Sequence, residues 1–184
     1  MTIKCSFKRA LDSQLAILFR FLKIDTEIKG KNLGFDKKTD FIYEIGLFPK
    51  SSIQRLSLIR NKIEHEFKKP NIEEMNVFYD LAYAFIIVIE KTISLMNHMS
   101  IMQFTLTDTN TNNDYGQFVI GYNQEEISVF IKWRKNNNRH TFSVSFKDDL
   151  NTFKNAFSLL LLIQQNYSFH NSEYTINEIK KMVI

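Results

Sequence analysis

The sequence predicts an α+β protein: an N-terminal helical bundle of about four helices over residues 1–99, then a small antiparallel sheet with one or two helices over residues 100–184. Three observations carry this. Apolar residues recur at three- and four-residue spacing up to about Met99 and at period two beyond Ser100. Only five Gly and two Pro interrupt the chain, so long elements are expected. It is 44% hydrophobic with seventeen Phe, enough to build a core and too much for a disordered chain.

The elements follow in order. Phe7, Ala10, Leu11, Leu15, Leu18 and Leu22 form the stripe of a first amphipathic helix. Phe35 to Leu47 is a shorter second one. After Pro49, Ser51 and Gln54 fit a capping box for a third helix, with Ile53, Leu56, Leu58, Ile59 and Ile63 as its apolar residues. Pro70 stops it, since proline cannot continue the donor ladder. Asn71 with Glu74 caps a fourth helix over about Ile72 to Met99, whose stripe is Met75, Phe78, Leu81, Phe85, Ile89, Ile93 and Met96.

Four strands follow, marked by Met102-Phe104-Leu106, Phe118-Ile120, Val129-Ile131-Trp133 and Phe142-Val144-Phe146. Polar turns separate them at Asp108 to Asp114, Asn123 to Glu126 and Asn136 to Arg139. Such short connections make the strands antiparallel neighbours. Asp148 or Asp149 caps a helix through Phe153, Phe157, Leu160, Leu161 and Gln164. Its segment Leu159 to Ile163 is apolar nearly all round, which implies burial against the sheet. Thr175 and Glu178 fit the start of a last short helix. No Gly/Ser- or Pro-rich linker marks the boundary near residue 100, so the two parts are expected to pack together.

Charge and composition narrow the function. Residues 1–99 carry sixteen Lys/Arg against twelve Asp/Glu, while residues 100–184 carry eight of each. The net charge of +4 therefore lies in the first half, where it would favour a polyanion. Cys5 is the only cysteine, which excludes an intramolecular disulfide and a thiolate zinc cage. Met1 to Arg20 is broken by Lys4, Lys8, Arg9 and Asp12 and is no signal peptide. Leu81 to Ile89 is too short to span a bilayer. A soluble, cytoplasmic protein is expected. His98, His140 and His170 lack partners at metal-ligand spacing, and no glycine-rich phosphate loop is present, so neither metal nor cofactor is expected.

The chemistry concentrates in Arg60-Asn61-Lys62-Ile63-Glu64-His65. Arginine holds phosphate through a planar fork of donors, and histidine exchanges protons near neutral pH. Asn61 and His65 are four apart and share a helix face. Arg60 and His65 are five apart and diverge by about 140°. If both act on one phosphate, the site lies in a groove completed by another surface, for which a symmetric partner helix is economical. The competing account is structural: Arg60 pairs with Glu64 for about 0.3 kcal/mol, and His65 is a polar helix-end residue.

The stretch Leu58 to Pro70 resembles the signature of the HEPN superfamily of helical-bundle ribonucleases and toxins. There, Arg is followed by a polar residue, often Asn, and by His four to six residues later, on a late helix with a long helix after it. The resemblance covers residues 1–99 and is specific at the motif. It implies a metal-independent endoribonuclease that dimerises with its two motifs facing each other. RNA would be cleaved by its own 2′-hydroxyl, with His65 of the two chains sharing the proton transfers and Arg60 holding the scissile phosphate. Asn61 would orient His65 or the phosphate. The setting implied is a toxin or phage-defence effector, with RNA as partner and an antitoxin protein as a second one. Some members carry a Tyr two residues after the His as a modification site; Phe67 stands there, without a hydroxyl. A non-catalytic HEPN-like RNA- or protein-binding module is the alternative. A third is a structural subunit whose sheet recruits another protein.

A second basic cluster, Lys132-Trp133-Arg134-Lys135 with Arg139 and His140, surrounds a hairpin turn. Together with Lys62, residues Lys132, Arg134, Lys135 and Arg139 are candidate nucleic-acid contacts. The commoner arrangement of such a cluster is a solvated turn with Trp133 in the sheet core.

Overall fold

The structure is a computed structural model that describes residues 2–27, 34–64, 71–107, 114–135 and 138–166. His65, the stop at Pro70, the turn after Thr107 and the expected last helix at Thr175 lie outside these residues. The described chain is mixed helix and sheet, with six helices and one four-stranded antiparallel sheet. It divides into two compact units, Met1–Ser94 and Leu95–Ile184.

The first unit holds α1 (Thr2–Phe21), α2 (Ile24–Glu27), α3 (Phe35–Glu44), α4 (Lys50–Glu64) and most of α5 (Ile72–His98). The α1 stripe is as spaced in the sequence: Leu11, Leu15, Leu18 and Leu22 are fully buried. The short α2 is an addition to the expected set. It follows Lys23, whose positive φ of 55° turns the chain out of α1. Helix α3 ends at Glu44 rather than Leu47. Gly46 takes φ 76°, Leu47 N–H donates to Ile42 O and Gly46 N–H to Tyr43 O, a glycine-closed C-terminus that the apolar pattern alone does not show. Phe19 of α1 meets Phe41 of α3 edge-on, with ring centroids 5.3 Å apart.

Helix α4 starts at Lys50, one residue before the expected cap. The Pro49 carbonyl accepts from Ser52 and Ile53 N–H, which places Ser51 inside the first turn and replaces the Ser51/Gln54 box. Ile53, Leu56 and Ile59 are buried, but Leu58 is 69% exposed, so it leaves the expected core stripe. The α5 cap forms as read: Glu74 N–H donates to Asn71 Oδ1 (2.7 Å), and Asn71 N–H donates to Glu74 Oε2 (3.1 Å). Phe78, Phe85 and Ile89 are its buried stripe, and Phe85 meets Phe48 edge-on.

In the second unit, β1 (Ile101–Thr107), β2 (Asp114–Asn123), β3 (Ser128–Lys135) and β4 (Asn138–Ser145) form a meander in sequence order, antiparallel throughout. The expected Asn136–Arg139 turn is shorter: only positions 136 and 137 separate the strands, and Arg139 is already paired with Arg134. The β2–β3 turn is closed by Asn123, whose Oδ1 accepts from Glu125 and Glu126 N–H. It leaves Ile127 at φ 49°, a conformation strained for a β-branched residue and held here with the side chain buried.

Helix α6 (Leu150–Asn166) is capped by Asp149, whose Oδ1 accepts from Asn151 and Thr152 N–H. Phe153, Phe157, Leu160 and Leu161 are buried, as are Leu159 and Ile163; Leu162 is half-buried. Phe157 and Phe153 meet Tyr122 of β2 edge-on, so α6 covers one end of one sheet face. Burial pushes the Tyr122 phenol above its usual range.

Candidate active site

Arg60 sits in the second half of α4, half-buried, with its guanidinium carbon 4.2 Å from the centroid of the Phe35 ring. Phe35 is the first residue of α3 and is itself buried. The flat guanidinium lies over a quadrupolar ring face, worth roughly 0.5–2 kcal/mol by its degree of desolvation. The ring restricts where the guanidinium can sit. The aromatic partner is a residue the motif does not reveal. Its only sequence signal is an aromatic at the start of the preceding helix.

Asn61 is exposed. Leu58, three residues before it, lies on the same side of the helix. Arg60 therefore points inward to Phe35 while Asn61 points outward, and one α4 does not bring them together. The divergence expected between Arg60 and His65 involves His65, which lies outside the described residues.

Lys62 is engaged within the unit. Its Nζ donates to Glu74 Oε1 at 2.7 Å, while Glu74 also closes the α5 cap. The Lys62 hydrogen bond, and after it the Asn71 N–H, hold the Glu74 carboxyl below its ordinary range. Lys62 thus ties the end of α4 to the start of α5. To contact nucleic acid it would have to share or release that carboxylate.

The other expected nucleic-acid residues belong to the second unit. Arg134 and Arg139 are directly opposed across β3 and β4, and Lys132 opposes Thr141 two positions on. Lys132, Arg134 and Arg139 are exposed. Lys132 Nζ stands 5.0 Å from the Phe130 ring centroid. Trp133 is 38% exposed rather than in the core, because α6 covers the far end of its sheet face. Its indole stacks on His140 at 5.0 Å and 11°. Lys135 pairs with Asn138 at the turn.

Among the described residues no group of three His, Cys, Asp or Glu could hold a metal ion. Among them, too, no helix is long and apolar enough to cross a membrane. Compared with known proteins, the chain matches no family model, no curated protein and no solved structure.

Proposed function

We propose that this protein is a metal-independent endoribonuclease of the HEPN type, acting in the cytoplasm as a toxin or phage-defence effector. In this reading residues 1–99 are a helical bundle, and two chains pair their α4 helices across a symmetric cleft. The observation that carries it is the split of the motif on α4: Arg60 is oriented by Phe35, while Asn61 and the exposed Leu58 face outward. An orienting aromatic under the arginine suits a residue that must present a planar fork to a phosphate. An exposed leucine beside Asn61 suits a face that is covered when a second copy arrives.

The chemistry then divides cleanly. One His65 withdraws the proton from the RNA 2′-hydroxyl. That oxygen attacks the adjacent phosphorus, and the P–O5′ bond breaks. The second chain's His65 gives its proton to the leaving 5′-oxygen. Arg60 binds the phosphate oxygens as their charge grows. The products are a 2′,3′-cyclic phosphate and a 5′-hydroxyl.

The test is cleavage of single-stranded RNA by the purified chain in EDTA. Activity should persist, and His65→Ala should reduce it by at least roughly 100-fold, the lower range of general acid–base contributions. Intact RNA with binding retained would instead favour the alternative, a non-catalytic module of the same fold. Lys62, buffered by Glu74, supports a positioning role in either case.

A further inference from the structure

The register of the sheet sorts the basic cluster of β3 and β4 between two faces. Thr105 pairs with Gln117, Gln117 with Arg134, and Arg134 with Arg139, so one row crosses all four strands. Every side chain in that row is exposed. In the next row on the same face, Lys132 opposes Thr141, and both are exposed too. Residues two apart on a strand share a face about 7 Å apart, and directly opposed residues stand about 5 Å apart. Lys132, Arg134 and Arg139 therefore gather their charges in one small patch of open sheet surface. Trp133 and His140 alternate with them and lie on the other face, in line with Phe104 and Phe118. The ring nearest the patch on its own face is Phe130, half-buried, with Lys132 Nζ 5.0 Å from its centroid.

Opposing Arg134 to Arg139 places like charges side by side, which costs the sheet stability. An anion lying across both removes that cost. The described carboxylates of the sheet's turns stand elsewhere: Glu125 and Glu126 are in the β2–β3 turn, and Asp148 and Asp149 follow β4, all at the far end. Ser128, at that end, is roughly 20 Å along β3 from Arg134, more than two Debye lengths at physiological salt. The forked donors of arginine grip phosphate oxygens in pairs. Thr and Gln side chains hydrogen-bond phosphate and sugar oxygens, and here they continue the row of the two arginines. An anionic lipid surface is instead met by clusters of about four to eight cations, more than this face presents. An acidic peptide that added itself as a strand would take the edge of the sheet, not its face.

We propose that the sheet face carrying Lys132, Arg134 and Arg139 holds the phosphate backbone of a nucleic-acid strand and leaves its bases untouched. This rests on the ribonuclease reading in taking that strand to be the RNA that is cut, and it assigns where the RNA is held. Such binding is blind to base sequence, because phosphate contacts position a strand without reading it.

The test is anisotropy of a labelled 2′-O-methyl oligonucleotide of about ten nucleotides, which cannot be cleaved through its 2′-oxygen, titrated with the full chain. Oligo-U and oligo-A strands should bind within about threefold of each other. Lys132→Gln should make the plot of log affinity against log salt shallower by about 0.7, the share of one phosphate contact on a single strand. Arg139→Glu should weaken binding by about 10-fold or more, since it replaces a phosphate donor with a like charge. The same change sets opposite charges across the Arg134 pair, so the denaturation midpoint should not fall and a binding loss is not a folding loss. A folded Trp133→Ala should bind as wild type does. No binding, an unchanged affinity in Arg139→Glu, or an equal loss in Trp133→Ala overturns the proposal. So does equal competition by a polyglutamate of the same charge or by phosphatidylserine vesicles. If Arg139→Glu binds and cuts RNA as wild type does, the ribonuclease reading stands without this face. Binding lost in Arg139→Glu, in a chain that cuts no RNA, keeps the face and removes the nuclease.

Discussion

Arg60 shows how far one residue can be read. Its place in a motif follows from spacing, and so does the expectation that it diverges from His65. Its partner, Phe35, does not, because the contact joins residues twenty-five positions apart through a turn that no local pattern encodes. Gly121 is similar. In the sequence it is a glycine inside a strand, which signals only that something approaches closely. In the fold that neighbour is the Phe130 ring on β3: a Cβ at Gly121 would stand 2.6 Å from its Cζ and 3.0 Å from Ile101 Cγ1. Gly121→Ala should therefore destabilise the sheet unit by about 1–3 kcal/mol, the usual range for forced overpacking. Urea denaturation checks this. Phe130→Leu in the same background should recover part of the loss, and an unchanged midpoint in the single variant would mean the ring swings aside freely.

At the scale of elements, two capping boxes were equally visible and only one forms. Asn71/Glu74 closes α5, whereas Ser51/Gln54 is bypassed because α4 begins at Lys50, on the Pro49 carbonyl. The sequence pattern tests whether side chains could cap, not where the backbone first turns. The α4–α5 junction also has a pH signature. Glu74 is held below its ordinary pKa by Lys62 and Asn71, so folding is favoured by its ionised form. That contribution is complete above the ordinary value of 4.5 and is lost as pH falls through the lower folded value. Glu74→Gln should lower the denaturation midpoint at pH 7, and the gap to wild type should close on acidification below about pH 4. A gap that is independent of pH would show that the carboxylate charge plays no part in the junction.

At the scale of the whole molecule, the change of period near residue 100 was legible and so was the meander, since short polar connections force neighbouring antiparallel strands. The register was not. Each of Phe104, Phe118, Trp133 and His140 alternates correctly within its own strand. Whether they align depends on turn lengths that composition does not fix, as the shortened Asn136 turn shows. The expectation of Trp133 in the core failed for the same reason, because α6 spans only part of the face. Assembly is the remaining expectation at this scale. Sedimentation at micromolar concentration should give a dimer, and Leu58→Glu should produce monomers that no longer cut RNA. A wild-type monomer would remove the composite cleft. The hairpin has one more consequence, for colloidal behaviour. Among the described residues β4 is an edge strand of the sheet, and an edge strand offers backbone groups to any extended chain it meets. From Thr141 to Val144 it is uncharged, with Phe142 and Val144 alternating, so Arg139 is its sole permanent charge. That guanidinium guards the strand against recruiting further copies edge to edge. Neutralising it opens a route to β-assembled aggregates, whereas Arg139→Glu would reverse the local field and keep the edge charged.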